Sequence, residues 1–248
     1  MSGNGVLYIA TGKKYIEAAI ASAKTVRKTC PGLPIAFFGD WHNYGFEFAH
    51  NPFPFHIVEN IAEPHRRSKV DYLSRTPFER TLYLDTDTMV VEDIHEIFDL
   101  LDQFDLGVAH AMRRNSIERL KDWRITLPKA FPQLNSGVIL YRSTPRVKKF
   151  MEEWSSQFRE AGFEQDQMTF RELLWLSDLR ITMLPPEYNV RYEKYHYFWS
   201  KTEATTKIFH LERLHTGIFW MSIKPFYRRL VKGLARVGIK IPNRLYKK

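Results

Sequence analysis

Apolar and polar positions follow one another along the chain in blocks that predict strands and helices in turn. The segment "GVLYIAT" is apolar and partly β-branched, which indicates a buried strand, and "KKYIEAAIASAKTVRKTCPG" carries apolar residues at helical spacing. "LPIAFFGD" is a second apolar run. A strand, a helix and a strand of these lengths predict a βαβ unit with a parallel strand pair.

The rest of the chain continues this alternation. The pattern predicts strands in "FHIVENI", "RTLYL", "DLGVAHA" and "SGVILYRS", and helices in "RSKVDYLSRTPF", "IHEIFDLLDQF", "PRVKKFMEEWSSQFREAG" and "QDQMTFRELLWLS". The later runs "ITMLPPEYN" and "TKIFHLE" predict short strands or loops. We therefore expect an α/β fold with an open, mixed and mostly parallel sheet flanked by helices. Ligands of such sheets bind beyond the carboxyl ends of the strands.

Two carboxylates interrupt one of the apolar runs. Residues 82–84 and 89–91 read as a buried strand and its continuation, yet Asp85, Thr86 and Asp87 lie between them. Spacing of two residues at a strand end places both carboxylates on one side, about 7 Å apart. Like charges so close need a counter-charge. A divalent cation such as Mg²⁺ or Mn²⁺, which prefers oxygen ligands, would supply it.

Two alternatives stay open for this acidic pair. The first is a polar turn in which Asp87 or Asp93 caps the next helix. The second is a phosphatase of the haloacid-dehalogenase type, whose D-x-D-x-T motif resembles Asp85, Asp87 and Thr88 and uses its first aspartate as a nucleophile. That motif normally follows the first strand of its fold, whereas a βαβ unit and a further strand precede Asp85. The phosphatase is therefore the second hypothesis.

Charge is distributed unevenly over the 248 residues. The net charge is +9, but residues 213–248 hold ten of the 37 Lys and Arg residues and none of the 28 Asp and Glu residues. The remainder is close to neutral, which argues against a nucleic-acid-binding body. No run of about 18 apolar residues predicts a membrane span, and no signal peptide is expected. The single Cys30 suits a reducing compartment, so we expect a cytoplasmic protein.

The basic segment divides the chain into an expected catalytic domain, residues 1–221, and a C-terminal extension, residues 222–248. "SIKPFYRRLVKGLARVGIKI" places apolar residues on one helical face and steps basic residues by four along the other. This pattern is typical of helices that lie on anionic membranes, here the inner membrane face. Packing of the apolar face on the catalytic domain and oligomerisation are the alternatives.

Five segments resemble, in order, the GT-A-fold glycosyltransferases of the glycogenin-like family 8 type. They are "ATGKKYIEAAIASAKTV", "SKVDYLSRTPFERTLYLDTDTMVVEDIHEIF", "LNSGVILYRST", the pair "EQDQMTF" and "LPPEYNV", and "KIFHL". The resemblance covers roughly residues 5–212. It implies a GT-A, Rossmann-like fold and a transferase that takes a hexose-type sugar from a nucleotide-diphosphate donor, UDP-sugar above all.

The resemblance also implies a metal site and a reaction type. Asp85, Asp87 and His210 would bind Mn²⁺ or Mg²⁺ against the donor diphosphate, with His215 as an alternative to His210. The family type retains the anomeric configuration, and a front-face mechanism is often proposed in which the leaving phosphate takes the acceptor's proton. No general base is then needed. The acceptor would be a glycan or a lipid-linked hydroxyl group.

Further residues acquire roles from the same resemblance. Tyr15 would stack on uracil, and the backbone of Tyr8, Ala10 and Thr11 would read its edge. Lys69 would contact the donor sugar or phosphates. The donor-binding set is Tyr8, Ala10, Thr11, Tyr15, Lys69, Asp85, Thr86 and Arg213; the set at the reacting sugar is Asn135, Asp166 and Gln167. Capping of the following helix is the alternative for Asp166.

The last motif departs from the family pattern. The family continues from its histidine to a lysine that binds the diphosphate, whereas "HLERLHTGIFW" has no lysine at that offset. Arg213 is the predicted substitute. A non-catalytic relative with a vestigial site is a third hypothesis, against which the intact acidic pair argues.

Overall fold

The computed structural model describes residues 3–46, 54–114, 121–200 and 202–216. The chain divides into a compact unit, Met1–Gly217, and a second unit, Ile218–Lys248. The predicted basic extension, residues 222–248, lies outside the described residues, and its boundary stays a prediction. Among the helices of the described ranges, none is both long and apolar enough to cross a membrane.

A mixed sheet of seven strands forms the centre of the described part of the chain. Numbered in chain order, its strands are β1 (Asn4–Ala10), β2 (Ile35–Gly39), β3 (Ile57–Asn60), β4 (Arg80–Leu84), β6 (Leu106–His110), β7 (Leu134–Arg142) and β8 (Ile181–Met183). They lie in the order β3-β2-β1-β4-β7-β6-β8. Only β7 runs antiparallel to its neighbours, β4 and β6. The predicted α/β class with a mixed, mostly parallel sheet is confirmed.

Helices cover both faces of this sheet. They are α1 (Lys13–Thr29), α2 (Lys69–Tyr72), α3 (Pro145–Ala161), α4 (Gln167–Leu176) and α5 (Glu193–Phe198). One core layer places α1 and a 3-10 helix, His95–Asp102, against Leu82 and Leu84 of β4. The other layer places α2, α3 and α4 against Tyr83 of the same strand. Burial on both faces explains why the strands read as continuous apolar runs.

The segment after the acidic pair differs from the prediction. Thr88–Val90 does not continue β4 but forms β5, which pairs with β9 (Ile208–His210) in a small second sheet. The hydroxyl group of Thr88 donates to the carbonyl oxygen of Asp85 at 2.7 Å and closes the turn between the two strands. The turn redirects the chain, so an apolar pattern on both sides of it does not mean one strand. The amphipathic segment 95–102 is a 3-10 helix rather than an α-helix.

The sheet topology brings four chain segments to one edge. Strands β1, β4 and β6 are parallel in direction, so their carboxyl ends meet there, and the antiparallel β7 begins at the same edge. Thr11, Asp85 and Asn135 therefore come from separate parts of the sequence to neighbouring positions. This is the edge at which open α/β sheets bind their ligands.

Candidate active site

The acidic turn after β4 faces the last strand of the small sheet. Thr88 pairs with His210 in the register of β5 and β9, which places the imidazole beside both carboxylates. The distance from His210 Nε2 is 3.0 Å to Asp87 Oδ1 and 3.8 Å to Asp85 Oδ2. One ligand atom from each of the three residues lies within 4.8 Å of the others. Two carboxylates and one imidazole at this separation can share one divalent cation.

Gly137 in β7 forms the floor of this three-residue cradle. A Cβ atom there would lie 2.2 Å from His210 Cε1 and 2.5 Å from Asp85 Oδ2. Both distances are far below contact distance, so any side chain would occupy space that His210 and Asp85 need. A glycine is therefore required at this position of "LNSGV", because the side chains of His210 and Asp85 lie directly against it.

A chain of hydrogen bonds fixes the proton on His210. The backbone N–H of Gly137 can only donate, and it donates to Asn135 Oδ1 at 3.2 Å. Asn135 Oδ1 also accepts from Asn189 Nδ2 at 3.2 Å, which turns Asn189 Oδ1 toward His210 Nδ1 at 2.8 Å. His210 Nδ1 must then carry the proton, and Nε2 is directed at the carboxylates. A hydrogen-bonded second nitrogen is typical of metal-binding histidines, so the site fits a metal ion.

The pKa of Asp87 reflects the same surroundings. Burial alone would raise it, but the charge of His210 and its hydrogen bond, with smaller contributions from His215 and Arg191, hold it below its usual range. Asp87 is therefore an anion at neutral pH, as a metal ligand must be.

Lys69 connects the metal cradle to the second acidic group of the site. Its Nζ donates to Asp85 Oδ1 at 3.1 Å and to both the carbonyl and the hydroxyl oxygen of Ser136 at 3.1 Å. Asp166 Oδ2 lies 3.4 Å from the same nitrogen. Burial alone would lower the pKa of Lys69, but the charges of Asp166 and Asp85 raise it above its usual value. Lys69 is thus a buried counter-charge with protein partners.

Asp166 belongs to this buried network rather than to a helix cap. It stands at the N-cap position of α4 but makes no side-chain capping bond. Its Oδ2 accepts from the Ser136 hydroxyl group at 2.6 Å, and Arg67 lies 3.5 Å from Oδ1. Burial would raise its pKa, but Lys69 and Arg67 hold it below its usual range.

A cavity of about 370 Å³ opens over the cradle, within the roughly 300–1,000 Å³ typical of small-molecule sites. It brings together most of the predicted site residues. These are Ala10, Thr11, Tyr15, Lys69, Asp85, Thr86, Asp87, Asn135, Gln167 and His210, with the alternative ligand His215.

Three predicted residues do not line this cavity: Tyr8, Asp166 and Arg213. The Tyr8 side chain is buried, and its hydroxyl group lies 2.8 Å from Ser22 Oγ, so only its backbone could face a nucleotide. The guanidinium of Arg213 is paired with Glu193 instead. This geometry therefore does not favour the predicted role of Arg213 in binding the diphosphate.

The two histidines of the last motif occupy different places. His215 Nε2 lies 3.9 Å from Asp87 Oδ1 but 3.0 Å from Thr86 Oγ1, and its ring meets that of Tyr15 edge-on at 5.0 Å. His210 is nearer to Asp87 and also approaches Asp85. The geometry therefore favours His210 over His215 as the third ligand.

Sequence reasoning missed several residues of the site. Asn189, Ser136 and Arg191 had no predicted role, although the first two stand in the quoted segments "LPPEYNV" and "LNSGV". The sequence signal that could have indicated a role for Asn189 is its position after a short late strand. Arg191 carries no local pattern and is recognised only because the chain places it in the cavity wall.

Comparison with known proteins identifies the class of protein. The family model for nucleotide-diphospho-sugar transferases matches residues 80–216, more than half of the chain. The chain belongs to this family, and the match favours the transferase over the phosphatase hypothesis. A comparison with curated protein sequences gives no significant match.

Solved structures show that the fold is the GT-A fold. The chain is similar to the galactosyltransferase LgtC in complex with donor and acceptor sugar analogues, with TM-score 0.59, 17% identity and 98% of both chains covered. It is similar to the glycosyltransferase GlyE of Streptococcus pneumoniae TIGR4, with TM-score 0.62, 14% identity, and 97% of this chain and 65% of GlyE covered. Mouse xyloside xylosyltransferase 1 gives TM-score 0.56 and 15% identity over 85% of this chain and 97% of that one. The family 8 type stays a prediction.

Proposed function

We propose that this nucleotide-diphospho-sugar transferase is metal-dependent and moves a hexose-type sugar from a UDP-linked donor to a hydroxyl group of a glycan or lipid-linked acceptor, with retention. The observation that carries the proposal is the cradle of Asp85, Asp87 and His210 at the sheet edge, in the wall of a cavity. UDP, the hexose and retention come from the family 8 resemblance.

The donor set of the cradle supports Mn²⁺ ahead of Mg²⁺. Mg²⁺ prefers all-oxygen surroundings, whereas the imidazole nitrogen of His210 suits a transition metal better. A divalent cation bound there would neutralise charge on the leaving diphosphate. The protein contributes three pre-oriented ligands, two of which already have compensated charges: Asp85 by Lys69 and Asp87 by His210.

Other residues of the cavity wall offer groups that would bind the nucleoside and the sugar of the donor. Tyr15, in the first turn of α1, is 43% exposed and presents a ring that can stack on a base. Asn135 uses Oδ1 to accept two internal hydrogen bonds, so its amide N–H groups remain to donate to a sugar hydroxyl. Gln167, the first residue of α4, lies in the same wall.

Calorimetric titration tests the proposal. Purified protein is titrated with UDP, with GDP and with inorganic phosphate, each with and without Mn²⁺. We expect UDP to bind only in the presence of Mn²⁺. Absence of binding by any nucleoside diphosphate would contradict the proposal. Proton NMR of the product formed from UDP-sugar then reports whether the anomeric configuration is retained.

A second part of the proposal concerns the basic extension, residues 222–248, as an anchor on anionic membranes. Each Lys or Arg near such a surface contributes about 1 kcal/mol. We expect the full chain to sediment with vesicles that contain anionic lipid, and a chain ending at residue 221 to stay in the supernatant while keeping its Mn²⁺-dependent UDP binding. Sedimentation of the shortened chain would contradict the anchor.

A further inference from the structure

We propose that Arg191 is the cation that binds the donor diphosphate, in place of the lysine that the last motif lacks. This inference rests on the proposed function, because it concerns the same donor. It replaces the predicted role of Arg213, whose guanidinium is paired with Glu193.

The backbone around Arg191 fixes its position next to the metal cradle. The preceding residue, Val190, is almost fully buried and lies alongside Phe209 in a parallel bridge. Its N–H donates to the carbonyl oxygen of Ile208 at 2.9 Å, and its own carbonyl oxygen accepts from the N–H of His210 at 3.0 Å. Arg191 therefore follows directly after a residue that is hydrogen-bonded to His210 of the cradle.

Arg191 lies in the part of the cavity wall where a diphosphate would bind. It lines the cavity together with Asp87, His210 and His215. A diphosphate held by a cation at Asp87 and His210 would lie within this same corner.

Two of the other three arginine and lysine residues of the cavity wall, Lys69 and Arg67, have partners that occupy them, and the third, Arg66, is exposed. Lys69 contacts Asp85, Ser136 and Asp166. Arg67 contacts Asp166 and the carbonyl oxygen of Glu164. Within the described part of the chain, Arg191 makes no ion pair shorter than 4 Å. A half-buried guanidinium without a carboxylate is suited to a ligand that brings its own negative charge, and its planar fork matches phosphate oxygens.

The metal and the nucleotide should respond to Arg191 in opposite ways. A guanidinium attracts a diphosphate but repels a divalent cation, so its loss should weaken the first and not the second. A charged hydrogen-bonding partner contributes enough that its loss weakens binding by about 10- to 100-fold. If Arg191 had only a structural role, its loss would change the affinities for Mn²⁺ and for the nucleotide in the same direction.

The test compares wild type with Arg191→Ala, Arg191→Lys and a matched control, Arg180→Ala. Arg180 precedes β8 at the opposite edge of the sheet, where Asp105 lies 3.7 Å from it, so the control removes the same charge far from the cavity. Binding of UDP and of pyrophosphate with Mn²⁺, and of Mn²⁺ alone, is measured by calorimetry. Uridine binding is measured by saturation-transfer NMR.

We expect Arg191→Ala to weaken the binding of UDP and of pyrophosphate by a similar factor of about 10 to 100. Uridine and Mn²⁺ should bind at least as well as they do to wild type. Arg191→Lys should fall between the two, and Arg180→Ala should match wild type. Unchanged UDP affinity in Arg191→Ala would overturn the inference, and so would weaker uridine or Mn²⁺ binding. If wild type itself binds no nucleoside diphosphate with Mn²⁺, the proposed function fails first.

Discussion

Replacement of Gly137 by alanine should weaken metal binding by about 100-fold or more while leaving the fold in place. The added Cβ would lie 2.2 Å from His210 Cε1, whereas ordinary contact begins near 3.4 Å, so the imidazole must move by about 1.2 Å. Metal–ligand distances tolerate deviations of only about 0.2 Å. His210 cannot move freely, because Asn189 holds Nδ1 at 2.8 Å. Loss of even an outer-shell partner weakens metal binding by about 10- to 100-fold, so we expect at least the upper end.

The backbone imposes no penalty at this position, because Gly137 is not among the glycines with positive φ. Overpacking should therefore cost about 1–3 kcal/mol of unfolding free energy. Gly107→Ala is the matched control, since its Cβ would lie 2.9 Å from Leu184 Cδ2, an apolar side chain directly after β8. Mn²⁺ affinity is measured by calorimetry and electron paramagnetic resonance, and stability by urea titration. We expect both variants to lose stability and only Gly137→Ala to lose Mn²⁺; unchanged Mn²⁺ affinity in that variant would refute the reasoning.

Three further predictions follow from the buried network. Lys69→Met should lower the unfolding free energy by about 3–5 kcal/mol, because it strands two carboxylates, while Lys149→Met on an exposed pair should stay within about 0.5 kcal/mol in the same urea titration. Asn189→Ala should weaken Mn²⁺ by about 10- to 100-fold by calorimetry, and Asn189→Asp, which keeps the acceptor for His210, should weaken it less; equal losses would contradict the orienting role. The pKa of Asp166 is lowered in the fold, so its contribution to stability is complete above its unfolded pKa of about 3.9 and is lost as pH falls below that value. The stability difference between wild type and Asp166→Asn should therefore shrink below about pH 4, and a constant difference would count against it.

Local pattern was sufficient to predict the main sheet and the acidic end of β4. Each of these features is encoded within about ten residues, by an apolar run, by helical spacing or by two aspartates after a strand. The turn at residues 85–87 could not be predicted from the local sequence pattern. Thr88 closes that turn on the Asp85 carbonyl group and pairs with His210, which lies 122 positions later, so nothing near Thr88 in the sequence indicates a second sheet.

The cations of the site show the same limit more clearly. Lys69 and Arg213 were placed by their offset from a family motif, which gives the position of the backbone but not the partner of the charge. The partner depends on which carboxylate the fold brings near, Asp85 and Asp166 for Lys69 and Glu193 for Arg213. Arg191, to which no family motif assigned a role, lies in the cavity wall, whereas Arg213 does not.

Different groups compensate the charges of the two carboxylates that follow the buried strand β4. Asp85 is compensated by Lys69 and by the hydroxyl group of Tyr83 at 2.6 Å, and these interactions do not depend on a metal. Asp87 is compensated by His210 at 3.0 Å, a residue that would itself be a ligand of the cation. Asp85 therefore keeps its partners whether or not a cation is bound, whereas a bound cation would take over the compensation of Asp87 from His210.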